Sequence, residues 1–236
     1  GYSSAASDVY KRQPIQYAEH RKTLENVICT AGKFGATHVS TFAGAWEGKP
    51  VESAYEEFGK VFRELADLAE EKGVKLGIEN CLMDGTWEHA TCNIGFNPKA
   101  WEVMFEEVKN DNFGLEWEPT HQMVQLIDPV TELRKWCKKI VHIHGKDATI
   151  DWDAVRHSGI SGAVPFVWHR MPGFGDTNWR DIISILRSNG YEDDICIEGY
   201  HDPVYSGELE MTGQLHALNY LKWCRGGDFT PTPWAK

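Results

Sequence analysis

The chain has 236 residues and a formal charge of −11, from 24 basic and 35 acidic side chains. That length can bury a sizeable core and lies within the range of an α/β barrel. The acidic balance opposes binding to nucleic-acid phosphates or anionic membranes, and no apolar run reaches the roughly 20 residues of a membrane span. Six scattered cysteines without a C-x-x-C pair read as reduced, mostly buried thiols of a cytoplasmic protein.

Residues 1–13 are small and polar and lack periodicity, so they read as a non-native or disordered tail. From Pro14 the pattern becomes regular. Residues 15–33 have helical character, and Gly35 precedes a strand over 37–42. Residues 53–72 form an amphipathic helix: Tyr55, Phe58, Phe62, Leu65 and Ala69 recur at threes and fours, and Gly73 closes it. A strand follows over 75–81, then a long loop over 82–96. Asn97 and Pro98 open the next helix as N-cap and first residue. The strand at 113–118 leads to a helix begun by Asp128 and Pro129, and the strand at 140–144 to a Gly- and Trp-bearing loop over 147–176. A helix over 178–188, a strand over 194–198 and a helix over 213–224 complete the pattern, with an extended tail over 225–236.

Strands alternating with helices make a parallel sheet, whose C-terminal strand ends converge on one rim. Four strands end on polar groups: Glu79, Glu118, the His142/His144 pair and Glu198. Strand alternation puts Glu79 on a face with Gly77 and Cys81, Glu118 with Glu116, His142 with His144, and Glu198 with Cys196. Val141 and Ile143 are expected on the opposite, helix-facing side, as is Trp117. Three carboxylates and a histidine on one rim form a mixed O/N site that a divalent cation would relieve of like-charge repulsion. His142 and Glu116, one step deeper, are expected to hydrogen-bond to the ligands rather than bind metal. Lys146 and Asp147 are expected to pair with each other or with neighbouring charges.

The motifs Leu76-Gly77-Ile78-Glu79-Asn80, Glu118-Pro119-Thr120-His121, His144-Gly145-Lys146-Asp147 and Pro172-Gly173-Phe174-Gly175-Asp176-Thr177-Asn178-Trp179 resemble, in order and spacing, the xylose-isomerase-like sugar phosphate isomerase/epimerase family. The resemblance implies a (β/α)₈ TIM barrel over 14–224. It implies Glu79, Glu118, His144 and Glu198 as metal ligands, with Glu79 and Glu198 also carrying proton transfer. His121 and Arg170 would contact substrate, and His169, beside Arg170, either faces substrate or sits on the loop. The family usually has Asp where Glu118 stands, and the extra methylene moves the carboxylate by about 1.5 Å.

The implied activity is a divalent-metal-dependent isomerase or epimerase of a sugar, sugar phosphate or polyol, working through a metal-stabilised enediolate. Mn²⁺ is the expected cofactor, with Co²⁺, Mg²⁺ or Zn²⁺ as alternatives. The partner is a small-molecule sugar or polyol, neither nucleic acid nor membrane, and a homo-oligomer is compatible. A metal-dependent abasic-site endonuclease and a non-catalytic carbohydrate-binding barrel are the rival readings. Five β/α units can be read where a closed barrel has eight, so the expected barrel is incomplete at its N-terminal side.

Overall fold

The computed structural model describes residues 18–228 and 230–233. The predicted tail over 1–13 therefore lies outside the described residues. The tail over 225–236 is described only at 225–228 and 230–233, where it carries no helix or strand. No helix among the described residues is long and apolar enough to cross a membrane.

The chain divides into two compact units. One takes the chain through His144 together with Asp193–Cys196, and the other Gly145–Glu192 with the chain from Ile197 on. In the first unit, α1 (Ala18–Ala31) precedes β1 (His38–Thr41), then α2 (Tyr55–Glu71), β2 (Lys75–Glu79), α3 (Pro98–Glu107) and β3 (Phe113–Trp117). A short α4 (Pro119–Met123) and α5 (Pro129–Trp136) lead to β4 (Ile140–Gly145). Caps set the helix starts as expected: the Asn97 side chain accepts from Ala100 N–H and the Asp128 side chain from Val130 N–H. The helix α4 was not legible as one, because Glu118-Pro119 reads equally as the end of a strand and the start of a turn.

The second unit holds β5 (Asp147–Ile150), α6 (Trp152–Ser158), β6 (Val167–Arg170), α7 (Trp179–Ser188) and α8 (Glu210–Cys224). Here the predicted loop over 147–176 needs correction. It contains an antiparallel pair, β5 with β6, in which Asp147 faces Arg170 and Ala148 faces His169. The expected strand near 194–198 is β7 (Ile195–Ile197).

The five predicted strands form one sheet in the order β1-β2-β3-β4-β7. The β1/β2, β2/β3 and β3/β4 pairings are parallel, as expected for strands joined by helical crossovers. This is the parallel α/β sheet of a TIM-barrel class, with five strands where a closed barrel has eight. On its helix side, Phe113 packs against Phe58 and Phe62, each with ring centroids 6.1 Å away. Trp117 is fully buried and donates through its indole N–H to Gln122 Oε1 at 2.8 Å.

One strand breaks the expected alternation. Leu115 pairs with Ile140 and Glu116 with His142, so Val141 is an extra residue in β4, a β-bulge. A Cβ on Gly77 would lie 2.9 Å from one Val141 methyl, and a Cβ on Gly114 would lie 2.5 Å from the other. Val141 therefore fills the face occupied by Glu79 and Glu116, not the helix side. The bulge corrects the predicted orientation and explains why positions 77 and 114 carry no side chain.

Candidate metal centre

At the C-terminal ends of β2 and β3, Asn80 fixes the two strand ends to each other. Its side-chain amide donates to Glu118 O at 2.9 Å, and its Oδ1 accepts Glu118 N–H at 2.7 Å. Asn80 is completely buried, so both bonds are shielded from water. Asn93, in the loop after β2, does similar work. Its Nδ2 donates to the carbonyls of Glu79 and Cys81, each at 2.8 Å, and its Oδ1 accepts from Ala43 and Gly95 N–H, each at 3.1 Å. Sequence reasoning missed both asparagines as positioning groups. The signal available was an amide side chain directly after Glu79. Asn80→Ala should lose about 1–3 kcal/mol of stability, as buried backbone groups of Glu118 lose their partners. A thermal melt of that variant, with Asn80→Asp retaining only the acceptor, measures it.

Between these strand ends and β4, Glu79, Glu118 and His144 each offer a ligand atom, all within 4.8 Å of one another. His144 Nδ1 lies 3.7 Å from Glu79 Oε1 and 3.8 Å from Glu118 Oε2. His121 Nε2 lies 3.4 Å from Glu118 Oε1. On its other side, His144 Nε2 lies 3.1 Å from Glu116 Oε1. The deeper carboxylate thus orients the imidazole, in the way an outer carboxylate fixes the tautomer of a ligating histidine. Glu118 is completely buried, and Glu116 is 3 % exposed.

Burial and the neighbouring Glu116 and Glu118 carboxylates push the Glu79 carboxyl up to about 7, against the opposing pull of His144. Burial also pushes Glu116 up, but its contacts with His144 outweigh it and hold Glu116 below the ordinary carboxylate value. Desolvation lowers His38, and lowers His142 to about 4, so both imidazoles are neutral at physiological pH. Two carboxylates and an imidazole crowded in this way fit a divalent cation. Its charge would lift the penalty that holds a proton on Glu79.

In the second unit, Glu198 follows β7 directly. Its N–H donates to Gly145 O at 3.1 Å, and its Oε1 accepts from Lys146 Nζ at 2.8 Å. Lys146 therefore pairs with a neighbouring charge, Glu198. A cavity of about 510 Å³ in the following loop is lined by Glu198, Tyr200, His201, Tyr205 and Glu210, among others. The Arg170 guanidinium contacts Asp202 Oδ2 at 3.3 Å and lies 5.7 Å from the centroid of the Phe174 ring. Asp202 also accepts backbone N–H from Met171, Val204 and Tyr205. Those bonds outweigh its burial and hold its pKa low. The His169 ring meets the His201 ring edge-on at 5.6 Å.

Residues 8–222 match the family described as xylose isomerase-like TIM barrel. An inosose dehydratase of Clostridium tetani is 26% identical over 182 residues, covering 75% of this chain and 57% of the relative. The chain thus spans little more than half the length of that protein. Among solved structures, a D-psicose 3-epimerase has a TM-score of 0.66 at 15% identity, over 95% of this chain and 77% of that one. The IOLI protein, crystallised with a zinc atom, has a TM-score of 0.63 at 22% identity, over 92% and 71%. Both structural likenesses concern the fold. With the family match extending over nearly the whole described chain, this protein belongs to the xylose isomerase-like TIM barrel family.

Proposed function

We propose that this chain carries the site of a divalent-metal-dependent enzyme that removes the proton next to the carbonyl of a sugar or cyclic keto-polyol. The observation that carries this reading is the Glu79–Glu118–His144 cluster, whose ligand atoms lie within 4.8 Å of one another around the fully buried Glu118. Glu79, Glu118 and His144 would hold the cation, with Glu198 proposed as the fourth ligand from its place at the end of a strand. When bound, the cation would polarise the substrate carbonyl and acidify the adjacent C–H. Glu79 would accept that proton as a carboxylate, since a bound cation would displace its own proton. Lys146 orients Glu198 through their 2.8 Å contact. His121 beside Glu118, and Arg170 held by Asp202, would bind substrate hydroxyls, as would His169, the residue before Arg170.

The fate of the substrate after proton removal divides two readings. We favour dehydration, in which the hydroxyl on the next carbon leaves with a proton as water. The C. tetani relative's name, inosose dehydratase, supports this choice. The name of the D-psicose 3-epimerase neighbour favours the second reading, return of the proton to the opposite face. Incubation of the metal-loaded protein with keto-inositols and ketoses in D₂O separates them. Dehydration gives a product lighter by one water, and epimerisation gives a product of unchanged formula carrying deuterium. Neither water loss nor exchange with Mn²⁺, Co²⁺, Mg²⁺ or Zn²⁺ would overturn the catalytic reading.

A further inference from the structure

A second cluster of metal-ligating side chains lies one step deeper in the same sheet, and of its members only Glu116 serves the first site, by orienting His144. His38, Glu116 and His142 each offer a ligand atom, and these lie within 4.8 Å of one another. The fold assembles them by two devices. The bulge at Val141 brings His142 into register opposite Glu116. On β1, Ser40 faces the same side, since a Cβ on Gly77 would lie 3.2 Å from its hydroxyl. Two-residue alternation then puts His38 on that side as well. There its ring stacks on His142 with centroids 3.9 Å apart.

His142 is only 1 % exposed, yet neither of its ring nitrogens has a hydrogen-bond partner among the described residues. His38 Nε2 likewise lacks one among the described residues. Buried imidazole nitrogens nearly always find a partner, because leaving one unsatisfied costs its full desolvation penalty. Two histidines and a carboxylate are also a recurrent ligand set for a divalent transition metal, with a water completing the coordination. Glu116 Oε1 lies 3.1 Å from His144 Nε2 and 3.9 Å from His142 Nε2, so one carboxylate faces both clusters.

We propose that His38, Glu116 and His142 form a second binding site for a divalent transition cation such as Co²⁺ or Zn²⁺, separate from the Glu79–Glu118–His144 cluster. Glu116 links the two sites.

The test is titration of the full chain with Co²⁺, followed by visible absorption and by metal content after gel filtration. The expected result is two Co²⁺ per wild-type chain, one per chain for His38→Ala or His142→Ala, and one for Glu79→Gln. His38 is partly exposed at the start of β1, so His38→Ala reports even if His142→Ala fails to fold. One Co²⁺ in the wild type that survives His38→Ala and is lost in Glu79→Gln would overturn the second site. One that is lost in His38→Ala and survives Glu79→Gln would uphold the second site and remove the first, so the two assignments fail separately.

Discussion

Glu79→Gln should abolish tight cation binding at the Glu79–Glu118–His144 cluster and lower turnover by about 10²–10⁴-fold, the usual contribution of a positioned acid–base group. Measuring turnover at saturating metal separates lost chemistry from lost binding. The same variant should change how the metal-free protein responds to pH. In the fold the Glu79 carboxyl titrates near 7, well above its ordinary 4.5. A group raised in this way stabilises the fold fully below 4.5, and that contribution is lost as pH rises through 7. The metal-free wild type should therefore lose stability between pH 5 and pH 8 on Glu79's account, and Glu79→Gln should flatten that loss. His142 acts in the opposite sense, since its contribution is lost as pH falls from 6.5 through about 4. It is common to both proteins, so the difference between their melting curves isolates Glu79. Added Mn²⁺ should restore wild-type stability most at the high-pH end, because a cation displaces the Glu79 proton and selects the folded state. Equal pH responses with and without the Glu79 carboxyl would contradict its raised pKa.

Much of this site's layout is legible in the sequence, because the period-2 rule is local. Glu79 and Glu116 fall on one face of their strands simply by counting, and the five strands stand where their apolar runs do. The same rule failed at Val141. A bulge is set by how two strands pair, and no residue in Ile140–Val141–His142 announces an extra position. Gly77 and Gly114 are its only trace in the sequence, and a glycine in a strand has several possible causes. The antiparallel pair of β5 and β6 was hidden for a different reason. Asp147–Ile150 and Val167–Arg170 are short and polar, and a run such as Trp168-His169-Arg170 carries no apolar alternation. Asn80 and Asn93 escaped because amides that hold backbone groups have no spacing signature. Their role appears only when the strands they join are side by side.

The largest expected loss of stability comes from Asp147, which the sequence marked only as one half of a Lys-Asp pair. Its carboxylate is completely buried and serves the backbone. One oxygen accepts N–H from Ala148 at 2.8 Å and Thr177 at 2.9 Å, and the other accepts from Gly173 at 3.1 Å. The glycine turn is shaped around it: a Cβ on Gly175 would lie 2.3 Å from the same carboxylate, and Gly173 has φ 94°. Asp147→Ala would leave three inward-facing N–H groups without an acceptor, at about 1–3 kcal/mol each before relaxation. We expect a net loss of roughly 3–5 kcal/mol, given that the turn can partly open to water. Asp147→Asn keeps an oxygen for part of this network and should lose less. Burial raises the Asp147 pKa above its ordinary 3.8 despite those bonds. Its contribution is therefore greatest below 3.8 and shrinks as pH rises through the raised value, and Asp147→Asn should remove that slope. Urea melts of the three proteins, read at the buried Trp179 that follows the turn, measure both effects. If Asp147→Ala unfolded at the same urea concentration as the wild type, the carboxylate would not be what holds the 173–177 turn.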